Sequence, residues 1–266
     1  MHDTLKVTGY TVRVPANLPP HETVRLVMLC DLHDKGYRFS PAALVKKINA
    51  LRPDLIVSAG DLVTASEGHA RFRNALRLVR YLAAHYPFYL TDGNHETRMQ
   101  VLPESYGDAY ETYMRVLSEC GAHILHNDTA VCTVKGLRIA LTGYVQSLRD
   151  YNRLHPARPD SDEIIKSVGR SLSGCYRILL AHNPSNFKAY AGWGADLTLS
   201  GHLHGGMIRL PLIGGVLSDS FLPFPKYDRG LFSLGDSNMI VSCGLGTHTL
   251  PVRWWNPAEL VSVDLV

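Results

Sequence analysis

Residues 23–33 read Thr23-Val24-Arg25-Leu26-Val27-Met28-Leu29-Cys30-Asp31-Leu32-His33. The run up to Cys30 is almost wholly apolar, as in a strand covered on both faces. It stops on two metal-type donors spaced Asp-x-His. The pattern recurs: Leu55-Ile56-Val57-Ser58 leads into Gly60-Asp61, and Phe88-Tyr89-Leu90-Thr91 leads into Gly93-Asn94-His95-Glu96. Between these runs, residues 41–51 read as a helix with Ser40 as N-cap and Pro41 at its first position. Residues 69–85 carry Phe72, Leu76, Val79, Tyr81 and Leu82 at amphipathic spacing and read as a second helix. Strand, loop and helix in repeated order predict a largely parallel α/β sheet. Such sheets place ligands beyond the C-terminal ends of their strands.

Further on, 108–119 reads as a helix, and 129–133 and 137–142 as paired strands joined across Lys135-Gly136. Residues 153–161 read as a polar surface loop and 163–172 as a helix. A strand over 176–181 ends at His182, and one over 196–200 ends at Gly201-His202-Leu203-His204-Gly205-Gly206. Short strands at 230–234, 239–242 and 259–265 are assigned with the C-terminal half to a second sheet, and 5–14 is the first strand.

Composition narrows the class. The chain has 266 residues, 45% apolar and 19% charged, which excludes disorder, collagen and coiled coil. No apolar run approaches the ~18 residues of a membrane span. Met1-His2-Asp3-Thr4-Leu5-Lys6 lacks the apolar region of a signal peptide. The expected location is therefore cytoplasmic or peripheral to a membrane. Net charge is +3 from 27 basic and 24 acidic residues, scattered, so no nucleic-acid surface is expected. The 5 cysteines form no CxxC pair, which excludes a thiolate zinc site and fits reduced thiols.

The 13 histidines are the informative count. Each donor alone has a bland reading: Asp-x-His arises by chance, Gly-Asp is a common turn, and a lone His182 suits a core. Their joint fall at inferred strand ends does not. Asp31, Asp61 and Asn94 offer oxygen donors, and His33, His182, His202 and His204 offer imidazoles. That set suits two divalent ions with a carboxylate such as Asp61 between them.

Asp31-Leu32-His33, Gly60-Asp61, Gly93-Asn94-His95-Glu96, His182 and Gly201-His202-Leu203-His204 resemble the ordered motifs of calcineurin-like metallophosphoesterases. The stretches 205–211, 225–230 and 244–246 are similar to the bacterial Gly-His-x-His-Gly-Gly branch, whose members are often envelope-associated. The resemblance implies a mixed α/β fold, a four-layer αββα sandwich of two mixed β-sheets, with residues 1–266 as a single metallophosphoesterase domain. It implies two divalent ions drawn from Mn, Fe, Zn or Co. One would take Asp31, His33, His204 and the bridging Asp61; the other would take Asp61, Asn94, His182 and His202. His95 would serve at the leaving group as proton donor or electrostatic stabiliser. The implied function is hydrolysis of phosphate mono- or diesters through a metal-bridging hydroxide. The alternatives are a catalytically impaired metal-binding scaffold, or a phosphodiesterase or pyrophosphatase acting on a lipid-linked or cell-wall substrate. Every ligand position is filled, which favours the enzyme.

The sequence departs from the pattern in places. Relatives commonly have an aspartate where Thr64 stands, orienting the histidine equivalent to His95. Thr64, Asp92 and Glu67 are the replacements in reach. Cys30 stands where serine is usual, and Leu203 and Met207 make the rim more apolar. Arg98 and Arg153 are candidate phosphate contacts, and His248 a candidate substrate contact. The segments 210–213 and 221–225, with Trp254-Trp255, read either as core cover or as an apolar rim toward a lipid-linked substrate or membrane surface.

Overall fold

The computed structural model describes residues 5–34, 41–152, 156–206, 208–210, 214–217, 226–246 and 256–266. Its first half runs β1 (Lys6–Val12), β2 (Val24–Leu29), α1 (Pro41–Leu51), β3 (Leu55–Ser58), β4 (Thr64–Ser66), β5 (His69–Arg71), α2 (Arg73–Ala83), β6 (Phe88–Leu90), α3 (Asn94–Val101), α4 (Pro103–Tyr106), α5 (Ala109–Glu119) and β7 (His123–Ile124). The second half runs β8 (Asp128–Val134), β9 (Leu137–Tyr144), α6 (Ser161–Val168), β10 (Tyr176–Ala181), α7 (Phe187–Trp193), β11 (Leu197–Ser200), β12 (Ile208–Leu210), β13 (Gly214–Leu217), β14 (Gly230–Leu234), β15 (Ser237–Val241) and β16 (Glu259–Leu265).

Two six-stranded mixed sheets result, in the orders β1-β16-β2-β3-β6-β7 and β14-β15-β11-β10-β9-β8. Alternation along the strands builds the layers. In β2, Leu26 and Met28 face inward and pack with Val57, Ile139, Leu141, Ile178 and Leu180, so the two sheets share one core. Val27 and Leu29 face outward and pack under Leu44, Ile48, Val79, Leu82 and Tyr113 of the helices. On the far side Leu179, Met239 and Val241 pack against Ile164, Phe187 and Tyr190 of α6 and α7. Helix, sheet, sheet, helix is the αββα order expected. Apolar burial on both faces explains why the strands read as unbroken apolar runs.

Several boundaries differ from expectation. Residues 69–85 do not form one helix: β4 and β5 make a hairpin closed by Glu67 and Gly68, both at positive φ, and α2 starts only at Arg73. The helix expected over 163–172 spans Ser161–Val168 instead. Asp160 caps its first turn, accepting from Asp162 N at 3.0 Å and Glu163 N at 2.9 Å. At its end Gly169 turns at positive φ. β16 belongs to the first sheet, between β1 and β2, not to the second. Helices α3, α4 and α7 had no sequence expectation. Among the described residues no helix is long and apolar enough to cross a membrane, and none of the five cysteines is in a disulfide. Ser40, Arg153, Met207, His248, 211–213, 221–225 and Trp254-Trp255 lie outside the described residues.

Candidate metal centre

Asp31 follows β2, Asp61 follows β3, Asn94 follows β6, His182 follows β10 and His202 follows β11. Parallel pairing of β3 with both β2 and β6, and of β10 with both β9 and β11, points these ends the same way. The sheets face each other, so both sets of strand ends meet at one edge of the sandwich. Asp31, His33, Asp61, His202 and His204 all adopt positive φ, between 49° and 71°. Non-glycine residues avoid that region, and held strain of this kind gathers at functional sites.

The donors converge. Asp31, His33 and His204 offer atoms within 4.8 Å of one another, and so do Asp61, His182 and His202. His33 Nε2 lies 3.1 Å from His204 Nε2, and His204 Nε2 lies 3.6 Å from Asp31 Oδ1. His182 Nε2 lies 3.1 Å from Asp61 Oδ2. The two groups touch through Asp61, whose Oδ2 is 4.0 Å from His33 Nε2 and 4.0 Å from His95 Nε2. Cys30 completes a further group with Asp31 and His182, but burial pushes its thiol well up, and its Sγ faces Gly60 O at 3.7 Å. It is packing, as a neutral thiol.

Burial raises the Asp31 carboxyl to about 6, with His182 opposing. Asp61 is also buried, yet His182, His95 and His33 hold it well below the usual range. Burial lowers His182, but Asp61 and Asp31 lift it to about 9. This is a desolvated, negatively biased pocket that stabilises positive charge. The donor set fits divalent cations for a second reason. Asn94 is buried and its Oδ1 has no hydrogen-bond partner, an oxygen left for a ligand outside the chain.

Backbone contacts hold the loops. His182 Nδ1 lies 2.8 Å from Ala59 O, which leaves Nε2 to the centre. Asp31 accepts His202 N at 3.1 Å, and Asp61 accepts His95 N at 2.9 Å. A Cβ on Gly201 would run into Cys30 Sγ and Asp31 Oδ2, so only glycine lets that loop approach.

Other residues escaped the sequence reading. Glu96 accepts Asp61 N at 3.0 Å, Leu62 N at 2.9 Å and Gly93 N at 3.0 Å, tying two ligand loops together. Its signal was present, since a glutamate at the third position of a helix reaches back to the chain before it. Asn256 donates to His204 O and to Gly206 O; nothing in sequence marks a residue fifty positions away. The Tyr151 ring lies 4.8 Å from that of His202, and its hydroxyl donates to Gln146 Oε1 at 3.2 Å.

None of the three residues expected to orient His95 does so. Thr64 donates its hydroxyl to His33 O. Asp92 Oδ2 takes Tyr110 OH at 2.7 Å and His126 Nδ1 at 2.8 Å. Glu67 is exposed in the hairpin turn. His95 Nδ1 instead meets the Ala65 backbone. Arg98, a candidate phosphate contact, donates Nη1 to Ala65 O at 2.7 Å. Leu203, expected at the rim, is buried.

Residues 24–206 match the family model for calcineurin-like phosphoesterase. The metallophosphoesterase YkuE of Bacillus subtilis is 27% identical, over 98% of this chain and 85% of that protein. The phosphodiesterase YaeI of Escherichia coli is 27% identical, over 84% of this chain and 75% of that protein. The solved structure of calcineurin-like phosphoesterase YfkN from Bacillus subtilis aligns at a TM-score of 0.49 and 14% identity, over 85% of this chain and 83% of that one. The chain belongs to the calcineurin-like phosphoesterases and is a metal-binding hydrolase of phosphoester bonds.

Proposed function

We propose that the strand-end cluster is a dinuclear centre that hydrolyses phosphate mono- or diesters. Asp31, His33, His204 and Asp61 would hold one divalent ion, and Asp61, Asn94, His182 and His202 the other. The observation that carries this reading is the pair of donor groups, Asp31 with His33 and His204, and Asp61 with His182 and His202, joined through the Asp61 carboxylate. When bound, two such ions polarise phosphoryl oxygens and activate water at neutral pH. Mn, Fe, Zn and Co all accept this mix of nitrogen and oxygen donors.

The chain's own part is placement. Asp61 is pinned by Glu96 at its N–H and joined through its carboxylate to His95 N. His95 Nε2, 4.0 Å from Asp61 Oδ2, faces the oxygen of the departing group. Tyr151 walls the cleft beside His202. Residues 1–266 act as one domain in this reading, supported by the pairing of β1 with β16 from opposite ends of the chain.

The test pairs elemental analysis with turnover of an aryl phosphodiester. The wild-type protein should carry two ions per chain and hydrolyse the ester. Asp61→Ala and His202→Ala should each lose metal and at least about 100-fold in kcat/KM. Wild-type turnover in either variant overturns the dinuclear assignment.

A further inference from the structure

The hairpin of β4 and β5 turns on two residues, Glu67 and Gly68, with Ser66 paired to His69 across the turn. A two-residue turn makes that flanking pair the hydrogen-bonded one. Ala65 and Ala70 are then a non-hydrogen-bonded pair, so the N–H and C=O of Ala65 point away from β5. Both are received by α3. His95 Nδ1 lies 2.8 Å from Ala65 N and 2.9 Å from Ala65 O, and Arg98 Nη1 lies 2.7 Å from Ala65 O. His95 and Arg98 stand three residues apart and share a helix face. Ala65 and His95 are both fully buried, so each polar group there needs a partner within the protein.

A nitrogen in a neutral imidazole either donates or accepts. With a hydrogen on Nδ1, the ring would donate to Ala65 O as a second donor beside Arg98, which that carbonyl does not need. The buried Ala65 N–H would then face a second donor. With Nδ1 bare, the ring accepts the Ala65 N–H, and Arg98 satisfies the carbonyl. Only this arrangement gives each of these groups a partner.

We propose that Arg98 is a positioning residue which, by holding the Ala65 carbonyl, fixes His95 as the Nε2–H tautomer. His95 then enters the cleft as a hydrogen-bond donor toward a phosphoryl or leaving-group oxygen. A backbone amide and a guanidinium together do the orienting that a carboxylate at position 64 would do. The role of His95 toward substrate rests on the phosphoesterase reading, whereas its tautomer does not.

The experiment is the imidazole ¹⁵N spectrum of the histidine-labelled, zinc-loaded full chain, zinc being diamagnetic. His95→Gln identifies the His95 signals by their loss. Wild-type protein should show a protonated Nε2 and a bare Nδ1. Arg98→Met opens the Ala65 carbonyl to Nδ1–H, so that tautomer should become detectable, and kcat for the aryl phosphodiester should fall about tenfold at unchanged KM. Arg98→Lys, which keeps a cationic donor, should restore both. A wild-type Nδ1–H tautomer overturns the proposal without need of a folded Arg98 variant, and an Nε2–H form unchanged in Arg98→Met removes Arg98 from it. A wild-type chain that fails to hydrolyse the ester defeats the phosphoesterase reading and leaves the tautomer result standing.

Discussion

Replacing Glu96 with glutamine tests how the ligand loops are held. The carboxylate takes four backbone N–H groups: Oε2 faces Asp61 N at 3.0 Å and Gly93 N at 3.0 Å, and Oε1 faces Leu62 N at 2.9 Å and Val63 N at 3.4 Å. A glutamine keeps one oxygen, so its NH2 must face donors on one side. The cheaper orientation turns NH2 toward Leu62 and Val63, because the Val63 contact is already long. One strong and one weak bond are lost and two buried N–H groups, those of Leu62 and Val63, are left unmet, at about 1–3 kcal/mol for a fully bonded group and less for the long Val63 contact. The expected destabilisation is about 2–4 kcal/mol, while the Asp61 and Gly93 loops keep their oxygen. Glu96→Gln should therefore unfold at lower urea with near-normal metal content, whereas Glu96→Ala should lose both stability and metal. An opposing influence makes the test sharp. Burial, Asp61 and Asp92 push the Glu96 carboxyl up to about 8, and glutamine is the isostere of the protonated acid. A Glu96→Gln protein within about 0.5 kcal/mol of wild type in urea unfolding would mean that the acid is held neutral, and would refute the four-donor reasoning.

Three further perturbations follow from the same contacts. Gly201→Ala sets a carbon against Asp31 and Cys30, and should cut bound metal and lower kcat/KM by about 100-fold; Gly9→Ala, with open space around it, should leave elemental analysis and turnover unchanged. Asn256→Ala strips the amide from His204 O and Gly206 O; chelator competition should show weaker metal binding, and urea unfolding a loss of about 1–3 kcal/mol. Asp264 is hydrogen-bonded by Arg25 at 2.7 Å, which holds its carboxyl below the ordinary 3.8. A folded value below the unfolded one means that this contribution is present above about pH 4 and lost as pH falls through the folded value. Asp264→Asn should flatten the acid limb of a urea-unfolding pH series, and an unchanged limb would contradict the assignment.

The sheets were legible because burial on both faces writes itself as apolar runs, and the strand-end donors were legible because each run stops on a polar residue. Leu55-Ile56-Val57-Ser58 before Gly60-Asp61 shows both signals at once. The 69–85 region misled because His69–Arg71 is only half-apolar and flanks a two-residue turn, so the periodicity of α2 was extended backward over it. β16 was placed in the wrong sheet because a strand's partner is fixed by long-range pairing, and Glu259–Leu265 carries no mark of its neighbours. The orientation of His95 was missed for a related reason. Residue identity at position 64 speaks only for a side chain, while the contact is made by the backbone at position 65, which any residue supplies.

The pairing of β16 between β1 and β2 bears on the order of events during synthesis. Every proposed ligand has been made once residue 204 leaves the ribosome. The pieces that seat them have not: Leu245 N binds Cys30 O at 3.0 Å, Gly246 N binds Asp31 O at 2.7 Å, Asn256 holds the His204 loop, and β16 fills the gap between two of the first-made strands. The nascent chain thus carries a full set of donors before it has the scaffold that spaces them. Metal selection by geometry is deferred until β16 has been made, when that strand enters the sheet and the loops are drawn into their strained turns.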